Sequence, residues 1–254
     1  IDALMSGGVQ QAVAPELERA VAASLRAHGW PLAAGYDTGE LQRVLEIAVR
    51  ANGFHALPGQ ASPLQDLLLW SKQSEALFEV ELTDQLRVFT VVFLSGFSSQ
   101  GWKHYAALGL VTTSGWTEDG KLYCVDRAYV RETEAFEVSY LKHESRHLVD
   151  MEQFPGLPAA DLEYRAKLTE LAYASATLRG LLEEFTGRGA LNPEAPHAEA
   201  NYRVTHDLYS ELYGRPFSGN SDAWMTLNVA RVNNAARRLL QRDSNRRVQQ
   251  ARGE

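Results

Sequence analysis

Cysteine is almost missing from this chain: Cys124 is the only one among 254 residues. No intrachain disulfide can form and a thiolate-built metal site is excluded, so any bound ion must be held by His, Asp or Glu. Long apolar runs are missing too. The longest candidate, VFTVVFLSGF at 88–97, is far short of the roughly 18 residues that span a bilayer. Positive charge is in deficit, with a formal net charge of -7 and a pI near 5.6. That balance argues against a nucleic-acid binder, whose phosphate contacts call for a basic surface. Repeats and low-complexity linkers are absent as well.

What remains is an ordinary globular composition, 45% hydrophobic over 254 residues, enough for one large domain or two small ones. The chain starts at Ile1 rather than Met, which favours a processed protein exported to the periplasm or secreted.

Apolar spacing predicts helices over 8–28, 38–51 and 63–80. In the first, Pro15 suits an opening turn, so that helix can begin there. The turn cluster NGFHALPGQASP separates the second from the third. Residues 1–82 therefore read as an N-terminal helical subdomain. The β-branched and aromatic run LRVFTVVFL (86–94) reads as a strand. ALGLVTTSGW (107–116) and GKLYCVDRAYV (120–130), joined through the polar turn TEDG, complete a small antiparallel sheet. Helical patterns then return over 131–153, 159–185, 197–213 and 220–241. The fold class expected is α+β, mainly helical.

Within 131–153 lies HESRH, with His143, Glu144 and His147 in the order His-Glu-x-x-His. Residues four apart on a helix point the same way, so His143 and His147 can clamp one ion while Glu144 sits beside it as a carboxylate that is not a ligand. Around the motif, Val138, Leu141, Leu148 and Val149 form an apolar side, and Phe136, Tyr140, His143, His147 and Asp150 another. With 7 His in the chain, a random order of this composition would contain the motif only about 0.02 times. Ser145 and Arg146 fill the variable pair, and a charged Arg is unusual there.

A catalytic zinc site needs a third protein ligand. No third His stands at metzincin spacing. After the breaks at Pro155, Gly156 and Pro158 a new helix carries Glu163 and Glu170, which share a face. Their seven-residue separation is about 10.5 Å of helix, so only one of them can reach the ion.

HESRH followed by LEYRAKLTEL resembles the gluzincin metallopeptidases, the thermolysin-like group, over residues 120–175. The resemblance implies one Zn2+ per chain held by His143, His147 and a glutamate of the following helix, with Glu144 as general base. Of the two glutamates Glu163 is assigned, because the small Ala166 three residues later suits close helix packing near an ion. It also implies a zincin-like catalytic domain over 83–254, if the chain is not one compact domain, and a peptide or protein substrate.

Such a peptidase needs an oxyanion donor, commonly a His or Tyr from a later helix. HAEANYRVTHDLYSELYG offers Tyr202, His206 and Tyr209 on one face, with His206 the first choice and Tyr202 the second; the same spacing also suits a packed aromatic stripe. Asp150, one turn past His147, is a candidate to orient an imidazole or to cap a solvated face. The strand KLYCVD is a candidate edge for pairing with an extended peptide, or buried sheet. The six C-terminal arginines read as a solvated helix end. The alternative to the enzyme is a non-catalytic binding or scaffold protein of the same fold.

Overall fold

The computed structural model describes residues 10–61, 64–110, 112–192, 195–219, 224 and 228–253. The fold is α+β and mainly helical, with one small, curled five-stranded sheet. Two compact units divide the chain: residues 1–74 with 93–114, and residues 75–92 with 115–254.

The first unit opens with helices α1 (Gln10–Ala27) and α2 (Thr38–Ala51). Pro15 sits inside α1 rather than at its start, at the cost of one backbone hydrogen bond. The part of the expected helix at residues 8 and 9 lies outside the described residues. Asp37 caps α2, its Oδ1 accepting from the Glu40 N–H at 2.7 Å, which supplies one of the donors a helix start leaves open. Ala22, Leu25, Leu32, Leu41 and Ala48 form the core of this unit.

The third expected helix is a strand. Strands β1 (His55–Ala61) and β2 (Leu64–Glu81) pair antiparallel from His55↔Trp70 to Ala61↔Leu64; Pro63, where the helix was expected to begin, lies outside the described residues. In the run LLLW the even positions Leu68 and Trp70 are buried while Leu67 and Leu69 are half-buried, a period of two that three adjacent leucines conceal. Strand pairing, which no local pattern announces, overrides the helical propensity of Leu, Glu and Lys. The first 82 residues are thus not a purely helical subdomain.

β3 (Leu86–Gln100) forms where a strand was expected but runs on through the Gly/Ser stretch. There Gly96 takes φ +68, and a Cβ would lie 2.3 Å from Ser71 Oγ. Only glycine combines that backbone with that approach. Residues 101–106 then form a short helix, α3 (Gly101–Ala106), and residues 107–110 a turn, so the strand expected over 107–116 reduces to β4 (Gly115–Glu118). Val111 lies outside the described residues. β5 (Lys121–Val125) pairs with β4 antiparallel, across Asp119 and Gly120 at φ 48 and 72, the two positive values that a tight hairpin turn requires. The strand order is β1-β2-β3-β5-β4. The sheet is mixed rather than purely antiparallel, because the chain leaves β3 through a helix instead of a hairpin.

The second unit holds the remaining helices. Residues 131–153 resolve into a short α4 (Glu134–Phe136), a π-helical stretch (Glu137–Lys142) and α5 (His143–Gln153). The single helix expected over 159–185 is two, α6 (Ala159–Tyr173) and α7 (Leu178–Gly187). Glu134 accounts for the break: its carboxylate accepts from the N–H groups of Ser175, Ala176 and Thr177 at 2.7, 3.0 and 2.8 Å and from Thr177 Oγ1 at 2.6 Å. α8 (Pro196–Tyr213) matches its expectation closely. α9 (Val229–Arg252) begins later than expected, and residues 220–227, apart from Trp224, lie outside the described residues.

α6 is the centre of this unit, packed against α5, α8 and α9. Every residue from Tyr164 to Ala172 is buried, so no solvent face exists for an amphipathic pattern to mark. A core from Leu168 and Leu171 through Val204 and Leu208 to Val232 and Leu240 closes around it.

Candidate metal centre

The motif lies where the π-helical stretch ends. His143 opens α5, and both His143 and His147 are 9% exposed. Their rings meet edge to face with centroids 4.7 Å apart, bringing the two Nε2 atoms to 3.0 Å. Glu163, from the first turns of α6, places Oε1 3.3 Å from His147 Nε2 and Oε2 3.6 Å from His143 Nε2. One ligand atom from each of the three lies within 4.8 Å of the others.

The two glutamates of α6 divide the work. Glu170 does not face the Nε2 atoms: its Oε1 lies 2.7 Å from His143 Nδ1. A carboxylate only accepts, so Nδ1 carries a proton and, whenever the ring is neutral, its Nε2 lone pair faces Glu163 and His147. Outer partners of this kind fix the tautomer and rotation of a ligating imidazole.

Charge in the cluster is unbalanced. Burial works against a charged His143, but the carboxylates of Glu170, Glu144 and Glu163 outweigh it and raise its pKa. Burial likewise opposes ionisation of Glu163, yet His147, His197 and His143 hold its carboxyl far below the usual carboxylate range. His147 Nδ1 and Glu163 Oε2 are buried without an aligned hydrogen bond. Two imidazole nitrogens and a carboxylate oxygen converging on one point are a donor set suited to a borderline-soft divalent cation.

Glu144 is half-buried in the first turn of α5, and its charge acts on His143, Tyr140 and Cys124. Burial pushes the Cys124 thiol up to about 12, so it offers no thiolate nucleophile.

The candidate oxyanion donors pack among aromatic rings. His206 stacks on Tyr202 with centroids 4.0 Å apart and meets Phe217 edge-on at 5.4 Å, while Tyr209 packs against Tyr213, Phe217 and Trp224. The aromatic spacing on α8 is at least in part a packing stripe. What α8 brings to the cluster is His197, from its first turn: 74% exposed, with Nδ1 2.8 Å from Glu163 Oε2. No spacing rule connects 163 with 197, so nothing in the sequence marked it.

Asp150 does not orient an imidazole. It is fully buried between two arginines, with Oδ1 2.7 Å from Arg146 and Oδ2 2.7 Å from Arg165 Nε. This is also where the odd residue of HESRH goes. Arg146 points away from the two histidines to Asp84 at 2.8 Å and to Asp150. Arg165 continues to Asp243 at 2.7 Å, Asp243 to Arg247 at 2.6 Å, Arg247 to Asp161 at 3.2 Å and Asp161 to Arg203 at 2.7 Å. Four arginines and four aspartates alternate in one chain behind the motif, tying α5 to α6, α8 and α9. The C-terminal arginines are therefore more than a solvated helix end: Arg247 belongs to this chain, and Arg238 pairs with Glu211 at 2.6 Å.

The strand KLYCVD is not an edge, since β5 lies between β3 and β4. The edge is β4. It packs on α5, and at Gly115 a Cβ would meet Tyr140 Cε2 at 2.5 Å, so the Tyr140 ring, from the stretch that leads into the motif, lies directly against the backbone of this edge strand.

Among the described residues no helix is long and apolar enough to cross a membrane. No protein-family model matches the chain, and neither the curated proteins nor the solved structures compared with it give a significant match.

Proposed function

We propose that the protein is a zinc-dependent metallohydrolase, a peptidase of gluzincin type acting on peptide or protein substrates. The convergence of His143 Nε2, His147 Nε2 and a Glu163 oxygen within 4.8 Å carries the reading, and the Glu170 contact at 2.7 Å supports it by fixing the His143 tautomer. Zn2+ would be held by His143, His147 and Glu163. When bound, the ion supplies a Lewis acid that acidifies water and polarises the scissile carbonyl.

The rest of the chemistry belongs to the chain. Glu144, next to a ligand but not one itself, takes the proton of the attacking water and passes it to the leaving amine. Glu170 holds the His143 ring so that Nε2 stays free of hydrogen. His206, with Tyr202 behind it, remains the candidate oxyanion donor, at the cost of unstacking the pair. An extended peptide would add to the open edge of β4, where backbone pairing supplies affinity without fixing sequence.

One observation favours a second reading, a non-catalytic binding or scaffold protein. The raised pKa of His143 lets a proton, instead of an ion, bridge the two Nε2 atoms at 3.0 Å. Zinc stoichiometry and peptide hydrolysis measured on one sample separate the two. One zinc per chain with cleavage supports the enzyme, and a folded sample without cleavage, with or without zinc, supports the non-catalytic protein. No zinc in a folded sample overturns the metal centre.

A further inference from the structure

Glu163 has two oxygens and three histidines around them. Oε1 lies 3.3 Å from His147 Nε2. Oε2 is drawn two ways, with His143 Nε2 at 3.6 Å on the cluster side and His197 Nδ1 at 2.8 Å on the outer side. The outer contact is the shorter. Glu163 is only 12% exposed while His197 is 74% exposed, so the imidazole closes the cluster from the solvent side without being part of its buried wall.

We propose that His197 is a positioning residue that engages the outer oxygen of Glu163, so that the carboxylate offers a cation one oxygen instead of two. The proposal rests on the metal centre proposed above and adds what decides its coordination number. A carboxylate can ligate through one oxygen or both. Two nitrogens and one oxygen leave a fourth position of a tetrahedral site open for water or substrate, whereas a second oxygen from Glu163 would compete for that position. Oε2 lies 2.8 Å from His197 Nδ1 without an aligned N–H bond; once the exposed ring turns its N–H onto that oxygen it becomes the poorer ligand, because its lone pair and part of its charge are then engaged.

His197 is cheaply held in place. Pro196 occupies the first position of α8, with its φ preset for the helix, and the Glu199 N–H bonds to Ala195 carbonyl at 3.0 Å. His197 therefore rides on a fixed turn.

Cobalt(II) reports coordination number directly, since four-coordinate cobalt absorbs visible light several-fold more strongly than five- or six-coordinate cobalt. Metal-free full-length protein is loaded with cobalt, and zinc affinity is measured separately by chelator competition, for the wild type, His197→Ala and His197→Asn. The wild type should give the intense four-coordinate spectrum. His197→Ala should lose several-fold in absorptivity and about tenfold in zinc affinity, the lower end for loss of an outer partner. His197→Asn, whose amide donates from near the position of Nδ1, should restore both.

Unchanged spectrum and affinity in His197→Ala overturn the proposal and leave the metal centre standing. An Asn variant that behaves like the Ala variant overturns it too, since a donor at that place would then not be what matters. Zinc loss in His197→Ala as large as in Glu163→Ala overturns it in favour of His197 as a ligand. A folded wild type that takes up neither metal overturns the metal centre, and this inference with it.

Discussion

Replacing Asp150 by Asn keeps the volume of the side chain and removes one charge from the middle of the Arg–Asp chain. In the native protein Asp150 accepts from Arg146 at 2.7 Å and from Arg165 at 2.7 and 2.9 Å, and all three side chains are at most 1% exposed. An amide has one accepting oxygen, and its NH2 would face guanidinium donors. Removing one partner of a buried ion pair costs roughly 3–5 kcal/mol. The lower end applies, because Arg165 keeps Asp243 and Arg146 keeps Asp84. For a chain of this size about 3 kcal/mol corresponds to a fall in Tm of roughly 6–12 °C. Asp84→Asn is the control: it also contacts Arg146, but it is 36% exposed, and a pair reached by solvent contributes only about 0–1 kcal/mol. Thermal melts and urea titrations of both variants measure the difference. If Asp150→Asn melts within about 2 °C of the wild type, a shift worth no more than about 1 kcal/mol, or no lower than Asp84→Asn, the buried chain does not stabilise the motif helix as argued. Zinc affinity, measured below the melt, should be unchanged. A loss there would return Asp150 to the role of orienting an imidazole.

Glu163→Ala should abolish measurable zinc binding, while Glu170→Ala, which loses only the His143 Nδ1 contact, should weaken it about 10- to 100-fold; chelator competition that ranks them the other way would make Glu170 the ligand. Glu144→Gln should keep zinc and fold but lose roughly 10²- to 10⁴-fold in peptide turnover, so full activity in a zinc-loaded sample would remove Glu144 as the base. Glu134 gives a pH test. Burial opposes its charge, yet its hydrogen bonds from Thr177, Ser175 and Ala176 pull it down to about 2 from 4.5. A depressed carboxyl stabilises the fold above its unfolded pKa and loses that contribution as pH falls through the folded one. The stability gap between wild type and Glu134→Gln should therefore be constant above about pH 5 and shrink as pH falls toward 2, and a gap independent of pH over that window would show that the carboxylate charge is not what holds the start of α7.

The sequence by itself determined what depends on neighbours along the chain. A His four residues from another on a helical pattern fixes which way both rings point, and so α5 carries the two nitrogens together. Asp119-Gly120 fixes a hairpin turn because few residues take two positive φ angles in succession. Pro196 and Gly214 bracket α8, and the β-branched run at 86–94 is a strand. Only the tertiary structure decided what depends on partners far apart. β2 is a strand because β1 and β3 flank it, although its leucines suit a helix equally well. Glu163 and Glu170 share one face of one helix, and which of them meets the Nε2 atoms and which meets Nδ1 follows from how α6 lies against α5, a packing relation that periodicity does not encode. Arg146 looked misplaced inside the motif until its partners, distant in sequence, lined up behind it. His197 carried no signal at all, since its contact with Glu163 exists only where the first turn of α8 comes to rest beside α6.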